Sequence, residues 1–322
     1  MLKIGFIGYR NHSYKVLKIV DASKFSNEIV IYHPSKSVTI NLKKSYKFTN
    51  NLNDLLSCSC IFITSPNETH VEYLKKFYKK KYIFCEKTPC VNFSEYKFLK
   101  KIKNKYKKKI LFNFHLLNTS FFNELKNFFK KKNIGQLQHI SIFISHGAML
   151  KNKLNKSRHK DTNGFSNIFG NLGIHYLRLI LEFIKIKKIK TILKSYNKSK
   201  ITDTSYTTIV DHENKIHNIF LSYSSPLSNY IKIYFSNIIL FYDDGKFFTH
   251  GPRDIFDKNG LFIKSRQKIK FNYKNSIDHN LKGLEKRINY FLNTVFKKKF
   301  FDVNDYVSSI NSSKFILKSF DK

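Results

Sequence analysis

The chain has 322 residues, of which 42% are hydrophobic and 16% aromatic, so a disordered chain is excluded and one or two folded domains are expected. Its formal net charge is +37, but only six of the 59 basic residues are arginines, and the lysines occur in every segment. Because binders of phosphates and base edges usually recruit arginine, we expect no nucleic-acid partner, but a positive field that attracts anionic cofactors and substrates.

The first 115 residues alternate short apolar runs with helical patterns, which is typical of a parallel α/β sheet. The predicted strands are apolar throughout, as expected of strands that are covered on both faces. They are Lys3–Ile7, Ile29–Tyr32, Cys60–Thr64, Tyr82–Cys85 and Ile110–Phe114. We therefore predict a doubly wound N-terminal domain over residues 1–115.

Residues 116–322 have a different pattern, with long strands rich in β-branched and aromatic residues. Tight-turn sequences such as Asp243-Asp-Gly245 predict hairpins between them. A last long helix has apolar residues at a period close to 3.6, from Leu281 to Val295. These patterns predict an α+β domain over residues 116–322 with a predominantly antiparallel, half-exposed sheet. Its exposed face is the expected surface of a homodimer or homotetramer.

The four cysteines are Cys58, Cys60, Cys85 and Cys90, and they form no C-x-x-C pair. They also lack the Cys/His spacing of zinc sites, so no metal site is predicted. No apolar run reaches the ~18–20 residues of a membrane span. The first residues have a strand pattern and not that of a signal peptide. We expect a cytoplasmic protein with no membrane partner.

Ligands of open parallel sheets bind outside the carboxyl ends of the strands. Those ends read Gly8-Tyr-Arg-Asn-His-Ser13, His33-Pro-Ser-Lys36, Ser65-Pro-Asn-Glu-Thr-His70, Glu86-Lys87-Thr88-Pro89 and Asn113-Phe-His115. The first is a partial G-x-G-x-x-G, a pattern that lets backbone amides approach a pyrophosphate. Arg10 and Ser13 replace its second and third glycines, and Arg10 either pairs with a phosphate or blocks the site. The Glu86-Lys87 pair indicates either a functional side chain or a strand that has reached solvent.

Together these segments resemble the Gfo/Idh/MocA oxidoreductases, relatives of glucose–fructose oxidoreductase and inositol dehydrogenase. The matching motifs, in family order, are Ile4-Gly-Phe-Ile-Gly8, Ile63-Thr-Ser-Pro-Asn67 with His70, Cys85-Glu-Lys87 and Asn171-Leu-Gly-Ile-His175. The resemblance implies an N-terminal Rossmann domain and a C-terminal domain on a predominantly antiparallel sheet. It also implies oxidation or reduction of a sugar, cyclitol or nucleotide-sugar carbon with NAD(P).

The resemblance also implies catalytic roles for Lys87, His175 and Asn171. Lys87 would hold or polarise the substrate hydroxyl, and His175 would exchange its proton, as an imidazole does near neutrality. Asn171 stands where the family usually has aspartate, and Thr88 where it usually has proline. Since an amide binds a hydroxyl but accepts no proton, the alternative is a relative that binds a sugar or nucleotide without redox turnover.

The ligand contacts that the resemblance implies lie at the strand ends and in the second domain. Predicted substrate contacts are Lys87, His115, Arg158, Asn171 and His175. Predicted cofactor contacts are Gly8, Arg10, Ser13, His33, Ser35, Lys36, Ser65, Pro66, Asn67, His70, Glu86 and Lys87. The loop after the second strand contains no acidic residue for a ribose 2′-hydroxyl, which favours NADP over NAD. The general excess of lysine would produce the same loop.

Overall fold

The structure is a computed structural model that describes residues 1–9, 12–34, 40–150, 165, 167–196, 202–243, 245–252, 254–263, 269–270 and 281–320. The chain divides into two compact units. The first consists of Met1–Thr119 and Asn280–Leu317, and the second of Ser120–His279 and Lys318–Lys322. Each unit contains one sheet.

The sheet of the first unit has six strands, and every adjacent pair is parallel. The strands are β1 Leu2–Ile7, β2 Ser26–Tyr32, β3 Ser45–Thr49, β4 Cys60–Ile63, β5 Tyr82–Glu86 and β6 Ile110–Asn113. Their order is β3-β2-β1-β4-β5-β6. The chain therefore winds outward in both directions from β1, and the predicted parallel α/β fold is confirmed. The switch between the two directions lies between β1 and β4.

The helices are α1 His12–Ala22, α2 His70–Phe77, α3 Phe93–Lys101, α4 Asn104–Lys107, α5 Ser120–Phe129, α6 Ile174–Ile180, α7 Leu281–Phe296 and α8 Val303–Lys318. Helices α1 to α6 lie between strands in the chain, and α7 and α8 come after the last strand. No helix in the described ranges is long and apolar enough to cross a membrane.

Helix α7 packs in the core of the first unit, whereas the sequence pattern had put it in a second domain over residues 116–322. Its apolar face, which includes Ile288 and Phe291, joins the core cluster of β1, β2 and β4. Gly283 allows a close approach, because a Cβ there would lie 2.8 Å from the carbonyl oxygen of His115. Residues 280–317 therefore belong with the N-terminal unit, although they are far from it in sequence.

A buried arginine ties α7 to its neighbours in the first unit. The Arg287 guanidinium donates to the backbone oxygen of Phe112 at 2.7 Å and to a carboxylate oxygen of Asp305, in α8, at 2.6 Å. Arg287 is only 4% exposed, so these two contacts satisfy a charge that would be costly to bury alone.

The second unit contains an eight-stranded sheet, and every adjacent pair except β7–β10 is antiparallel. Its strands are β7 Leu137–Ser145, β8 Ile186–Lys194, β9 Thr204–Asp211, β10 Ile216–Ser222, β11 Ser228–Phe235, β12 Ile239–Asp243, β13 Lys246–His250 and β14 Ile269–Lys270. Their order is β14-β13-β12-β11-β7-β10-β9-β8. The predicted, predominantly antiparallel sheet is confirmed.

One face of this sheet has an exposed row of large side chains, which we call the aromatic row. Its members are direct cross-strand neighbours on β8, β9, β10, β7 and β11. They are Ile192, Tyr206, Phe220, Phe143 and Tyr230. The rings of Phe143 and Phe220 stack with centroids 4.5 Å apart. Ile192, Tyr206 and Phe143 are 53%, 44% and 37% exposed, so this face is apolar and accessible within its own unit.

Candidate active site

The carboxyl ends of the parallel strands gather the predicted site residues of the first unit. Ligands of doubly wound sheets bind at this edge, next to the switch point. The residues that end or follow β1, β2, β4, β5 or β6 here are Gly8, Ser13, His33, Ser65, Pro66, Asn67, His70, Glu86, Lys87 and His115. Arg10, Ser35 and Lys36 lie outside the described residues.

Gly8 supplies the backbone geometry of the turn after β1. Its φ of +97° lies in the region that favours glycine, and an added Cβ would come within 3.0 Å of the Thr64 carbonyl oxygen. Helix α1 begins four residues later at His12. A tight turn followed by a helix start suits a dinucleotide pyrophosphate, so the backbone here fits the predicted cofactor.

Ser13 occupies the third glycine position and is buried. Its hydroxyl donates to the Thr64 carbonyl oxygen at 2.6 Å, which packs the start of α1 against the end of β4. The hydroxyl is thus engaged within the protein, and the close helix–strand packing is kept without glycine. The predicted contact between Ser13 and a cofactor stays a prediction.

His33 follows β2, where a Rossmann sheet holds the ribose of its cofactor. Its backbone amide donates to the Thr49 carbonyl oxygen at 3.0 Å, which fixes the loop on β3. Its ring packs edge-on against Tyr9, with centroids 5.1 Å apart. His33 is therefore held at the predicted ribose end of the site.

Glu86, the last residue of β5, is a buried carboxylate with two side-chain partners. Its Oε1 atom lies 3.1 Å from Nε2 of His12 and accepts a 2.7 Å hydrogen bond from the amide of Asn113. Burial acts to raise the pKa of Glu86, but the hydrogen bonds from His12 and Asn113 and the charge of His12 together lower it. Glu86 is therefore ionised at neutral pH and links the start of α1 with the ends of β5 and β6.

Lys87 is half-buried, directly after this anchored carboxylate. The Lys87–Thr88 peptide bond is cis. Thr88 is fully buried, and its amide donates to the side-chain oxygen of Asn67 at 3.4 Å. The backbone is thus held on both sides of Lys87, which is the arrangement that a positioned functional group requires.

His70, the first residue of α2, is fully buried between two loops. Its Nδ1 atom lies 2.9 Å from the Thr88 carbonyl oxygen, and its Nε2 atom lies 2.9 Å from that of Ser65. Burial lowers the pKa of His70, although the two carbonyl contacts act to raise it. Both ring nitrogens are thus engaged within the protein. The cofactor contact of this side chain stays a prediction.

The segment from Ser65 to Thr69 is braced internally. The Thr69 hydroxyl lies 2.7 Å from the Ser65 hydroxyl and 2.8 Å from the Pro66 carbonyl oxygen. Asn67–Thr69 form a 3-10 turn that leads into α2. This shape presents Ser65, Pro66 and Asn67 at the end of β4, where a cofactor is predicted.

His115, a predicted substrate contact, follows β6 and opens a 3-10 turn over His115–Asn118. It is half-buried, and α7 packs against the backbone of this turn. His115 therefore lies at the same sheet edge as Lys87, and its contact with the substrate stays a prediction.

The second unit holds the other two predicted catalytic residues, Asn171 and His175. A π-helical turn, Phe169–Gly173, leads directly into α6. The buried side chain of Asn167 accepts the Gly170 amide at 2.9 Å and so caps the start of this turn. Both predicted residues are half-buried. Arg158, the remaining predicted substrate contact, lies outside the described residues.

Tyr223 contacts a predicted site residue, although no sequence pattern selects it. Its hydroxyl accepts a 3.2 Å hydrogen bond from the Asn171 amide, and its ring lies 4.4 Å from that of His146, between centroids. Burial raises the pKa of Tyr223 to about 12, so the phenol stays protonated at neutral pH. Tyr223 lies 52 positions after Asn171, outside the motif Asn171-Leu-Gly-Ile-His175. No sequence signal therefore identifies it as the partner of Asn171.

The partners of Glu86 were partly visible in the sequence. The strand-end sequences include both His12 and Asn113, but no sequence pattern connects either of them with Glu86. Their contacts depend on the order β1-β4-β5-β6, which brings the ends of distant segments together. In the described ranges, no group of three or more metal-ligating side chains is close enough to hold an ion.

A doubly wound parallel sheet with polar residues at its carboxyl edge is typical of a dinucleotide-binding fold. Residues 2–114 match the model of the Gfo/Idh/MocA oxidoreductase family, whose description specifies an NAD-binding Rossmann fold. The match lies in the N-terminal part of the chain, and it confirms the resemblance that the sequence motifs indicate there. A search of curated protein sequences found no match.

Solved structures of the same fold cover almost the whole chain at low sequence identity. Myo-inositol 2-dehydrogenase from Lactobacillus plantarum matches with a TM-score of 0.75 and 14% identity, over 99% of this chain and 96% of that one. A 3-ketoreductase from Actinomadura kijaniata, in complex with NADP and TDP-benzene, matches with a TM-score of 0.73 and 11% identity, over 98% of this chain and 95% of that one. UDP-N-acetylglucosamine 3-dehydrogenase from Acidithiobacillus ferrooxidans matches with a TM-score of 0.70 and 12% identity, over 99% of this chain and 97% of that one. At these identities the matches establish the fold alone.

Proposed function

We propose that the protein is an NAD(P)-dependent oxidoreductase that transfers a hydride to or from a carbon of a sugar, cyclitol or nucleotide sugar. The observation that carries this proposal is the anchored Glu86–Lys87–Thr88 segment at the ligand-binding edge of an NAD-binding Rossmann sheet. The inositol dehydrogenase and the nucleotide-sugar enzymes with the same fold support the substrate class.

The chain's own residues divide the chemistry between binding and proton transfer. When bound, a nicotinamide dinucleotide supplies the hydride chemistry, and Gly8 with the start of α1 would hold its pyrophosphate. Lys87 holds the substrate hydroxyl through its ammonium group. His175 takes the hydroxyl proton during oxidation and returns it during reduction. Asn171 hydrogen-bonds the substrate, with its amide oriented by Tyr223.

We propose NADP as the preferred cofactor. His33 lies after β2, where an acidic side chain would favour NAD, and a neutral or cationic ring is compatible with a 2′-phosphate. The positive net charge favours the more anionic of the two cofactors in the same direction.

Titration with NADPH and NADH tests both the class and the cofactor. A ligand that binds the native state raises the melting temperature by mass action, and a concentration of 100 Kd stabilises by ~2.7 kcal/mol. We expect thermal stabilisation by both cofactors and a lower Kd for NADPH. In the His33→Asp variant, repulsion of the 2′-phosphate should reverse this preference.

The controls for the titration are circular dichroism of each variant and AMP as a ligand without nicotinamide. If folded protein binds neither cofactor, the oxidoreductase proposal is wrong. The second candidate would then hold, namely a relative that binds a sugar or nucleotide without turnover. The observation that favours this candidate is Asn171, an amide that cannot accept a proton where the family usually has aspartate.

We further propose that a second copy of the chain covers the aromatic row to form a homodimer. The row crosses five strands, which is about 19 Å at the usual strand spacing, and contiguous exposed apolar surface of this kind marks protein interfaces. Phe143 lies inside the row, on β7, which is next to the middle strand β10.

Phe143→Lys should convert the dimer into a monomer, because it would bury a charge within the interface, next to the middle strand of the row. We expect the dissociation constant to rise about tenfold or more in sedimentation equilibrium, the effect of a hot-spot residue. The control is Phe300→Lys, at an exposed phenylalanine of the first unit, which should leave association unchanged. A monomeric wild-type protein at high concentration would refute the dimer.

A further inference from the structure

The His70 imidazole joins the two loops that meet beside Lys87. One nitrogen faces the Ser65 carbonyl at the end of β4, and the other faces the Thr88 carbonyl after β5, each at 2.9 Å. Within the described residues, Asn67 adds another contact, because its side-chain oxygen accepts a hydrogen bond from the backbone amide of Thr88. The residue that follows Lys87 is therefore held through its carbonyl by His70 and through its amide by Asn67.

A neutral imidazole donates through one nitrogen only, so its proton can satisfy only one of the two carbonyls at a time. The two contacts are thus chemically distinct. The contact at Nδ1 acts on the Lys87 segment, and the contact at Nε2 acts on the loop after β4. Substitutions that keep one contact and lose the other can separate their effects.

We infer that His70 is a positioning residue for Lys87, acting through the carbonyl of Thr88. This inference rests on the proposed function, in which Lys87 holds the substrate hydroxyl. It assigns His70 a role different from the cofactor contact predicted from the motif. Because both nitrogens face backbone oxygens and the ring is fully buried, the side chain acts on its neighbours within the protein.

His70→Asn and His70→Gln provide the matched test. The amide nitrogen of asparagine takes the place of Nδ1, so the donor to Thr88 is kept and the contact with Ser65 is lost. The amide nitrogen of glutamine takes the place of Nε2, so the donor to Ser65 is kept and the contact with Thr88 is lost. Each variant removes one of the two contacts that the imidazole makes, and similar losses of melting temperature are expected from both.

The readout is the reactivity of Lys87 towards trace acetic anhydride, measured by peptide mass spectrometry against the exposed Lys97 as internal standard. We expect His70→Asn to keep the wild-type ratio of Lys87 labelling to Lys97 labelling. His70→Gln should change this ratio about fivefold or more, because small displacements of a positioned group have large effects on its reactions. NADP⁺ should protect Lys87 in wild type and in His70→Asn, and less in His70→Gln.

Equal reactivity of Lys87 in the Asn and Gln variants would overturn the inference, since a purely structural role does not distinguish the two nitrogens. Asn67→Ala serves as a second variant if His70→Gln fails to fold, and it should change Lys87 reactivity in the same way. No change in Asn67→Ala would then count against the inference. If wild type binds no cofactor, the proposed function fails, while the labelling without cofactor still tests the role of His70.

Discussion

Phe291→Ala should be one of the most destabilising single substitutions in the first unit. Phe291 is fully buried in α7 and packs on Phe62, Phe84 and Phe301, at centroid distances of 5.1, 5.4 and 5.5 Å. Removing a buried phenyl ring costs about 3–5 kcal/mol, because the cavity cannot collapse completely. Urea denaturation would measure the decrease in the free energy of unfolding.

Phe296→Ala is the matched control, in the same helix but with half of its ring exposed. We expect it to cost less than about 1 kcal/mol. Hydrogen exchange should locate the loss caused by Phe291→Ala in the peptides of β4 and β5. A loss of protection confined to the peptides of the eight-stranded sheet would contradict the packing of α7 on β4 and β5. It would place this helix in the second unit instead.

Lys87→Met should abolish turnover while leaving the protein folded and able to bind the dinucleotide. Methionine keeps most of the side-chain volume but removes the ammonium group that we propose holds the substrate hydroxyl. We expect kcat to fall about 10²–10⁴-fold, the usual contribution of a positioned catalytic group. The substrate would come from a screen of sugars, cyclitols and nucleotide sugars with the preferred cofactor.

Lys97→Met controls for the loss of one positive charge, because Lys97 is an exposed residue of α3. Its kcat should match that of wild type. Arginine at position 87 should not restore activity, since a planar guanidinium is a poor substitute for a compact ammonium group. Wild-type turnover in Lys87→Met would remove Lys87 from the proposed mechanism.

The strands of the first unit were predictable because buried parallel strands are continuously apolar. The edge strand β3 was not, since each of its residues is exposed or half-buried and its sequence, Ser45-Tyr-Lys-Phe-Thr49, is mixed. The helical period of α7 was also readable in the sequence. Its location was not, because an apolar helix face does not specify which sheet it covers.

Motif spacing was sufficient to select Lys87, Asn171 and His175 as candidates, but it could not supply the residues that hold them. The carbonyl of Thr88 lies 18 positions from His70, and the hydroxyl of Tyr223 lies 52 positions from Asn171. Such contacts depend on how strands are ordered in space. The sequence therefore selects candidate groups for the chemistry, whereas the contacts that orient those groups are seen only in the structure.

Because α7 and α8 complete the first unit from the far end of the chain, that unit cannot finish folding when its own strands leave the ribosome. Until α7 emerges, Phe62 and Phe84 lack the ring of Phe291 that covers them. The six-stranded sheet of the nascent protein therefore exposes apolar surface, which favours aggregation, while the entire second unit is translated. We expect this interval to make the chain dependent on chaperones that bind exposed apolar surface.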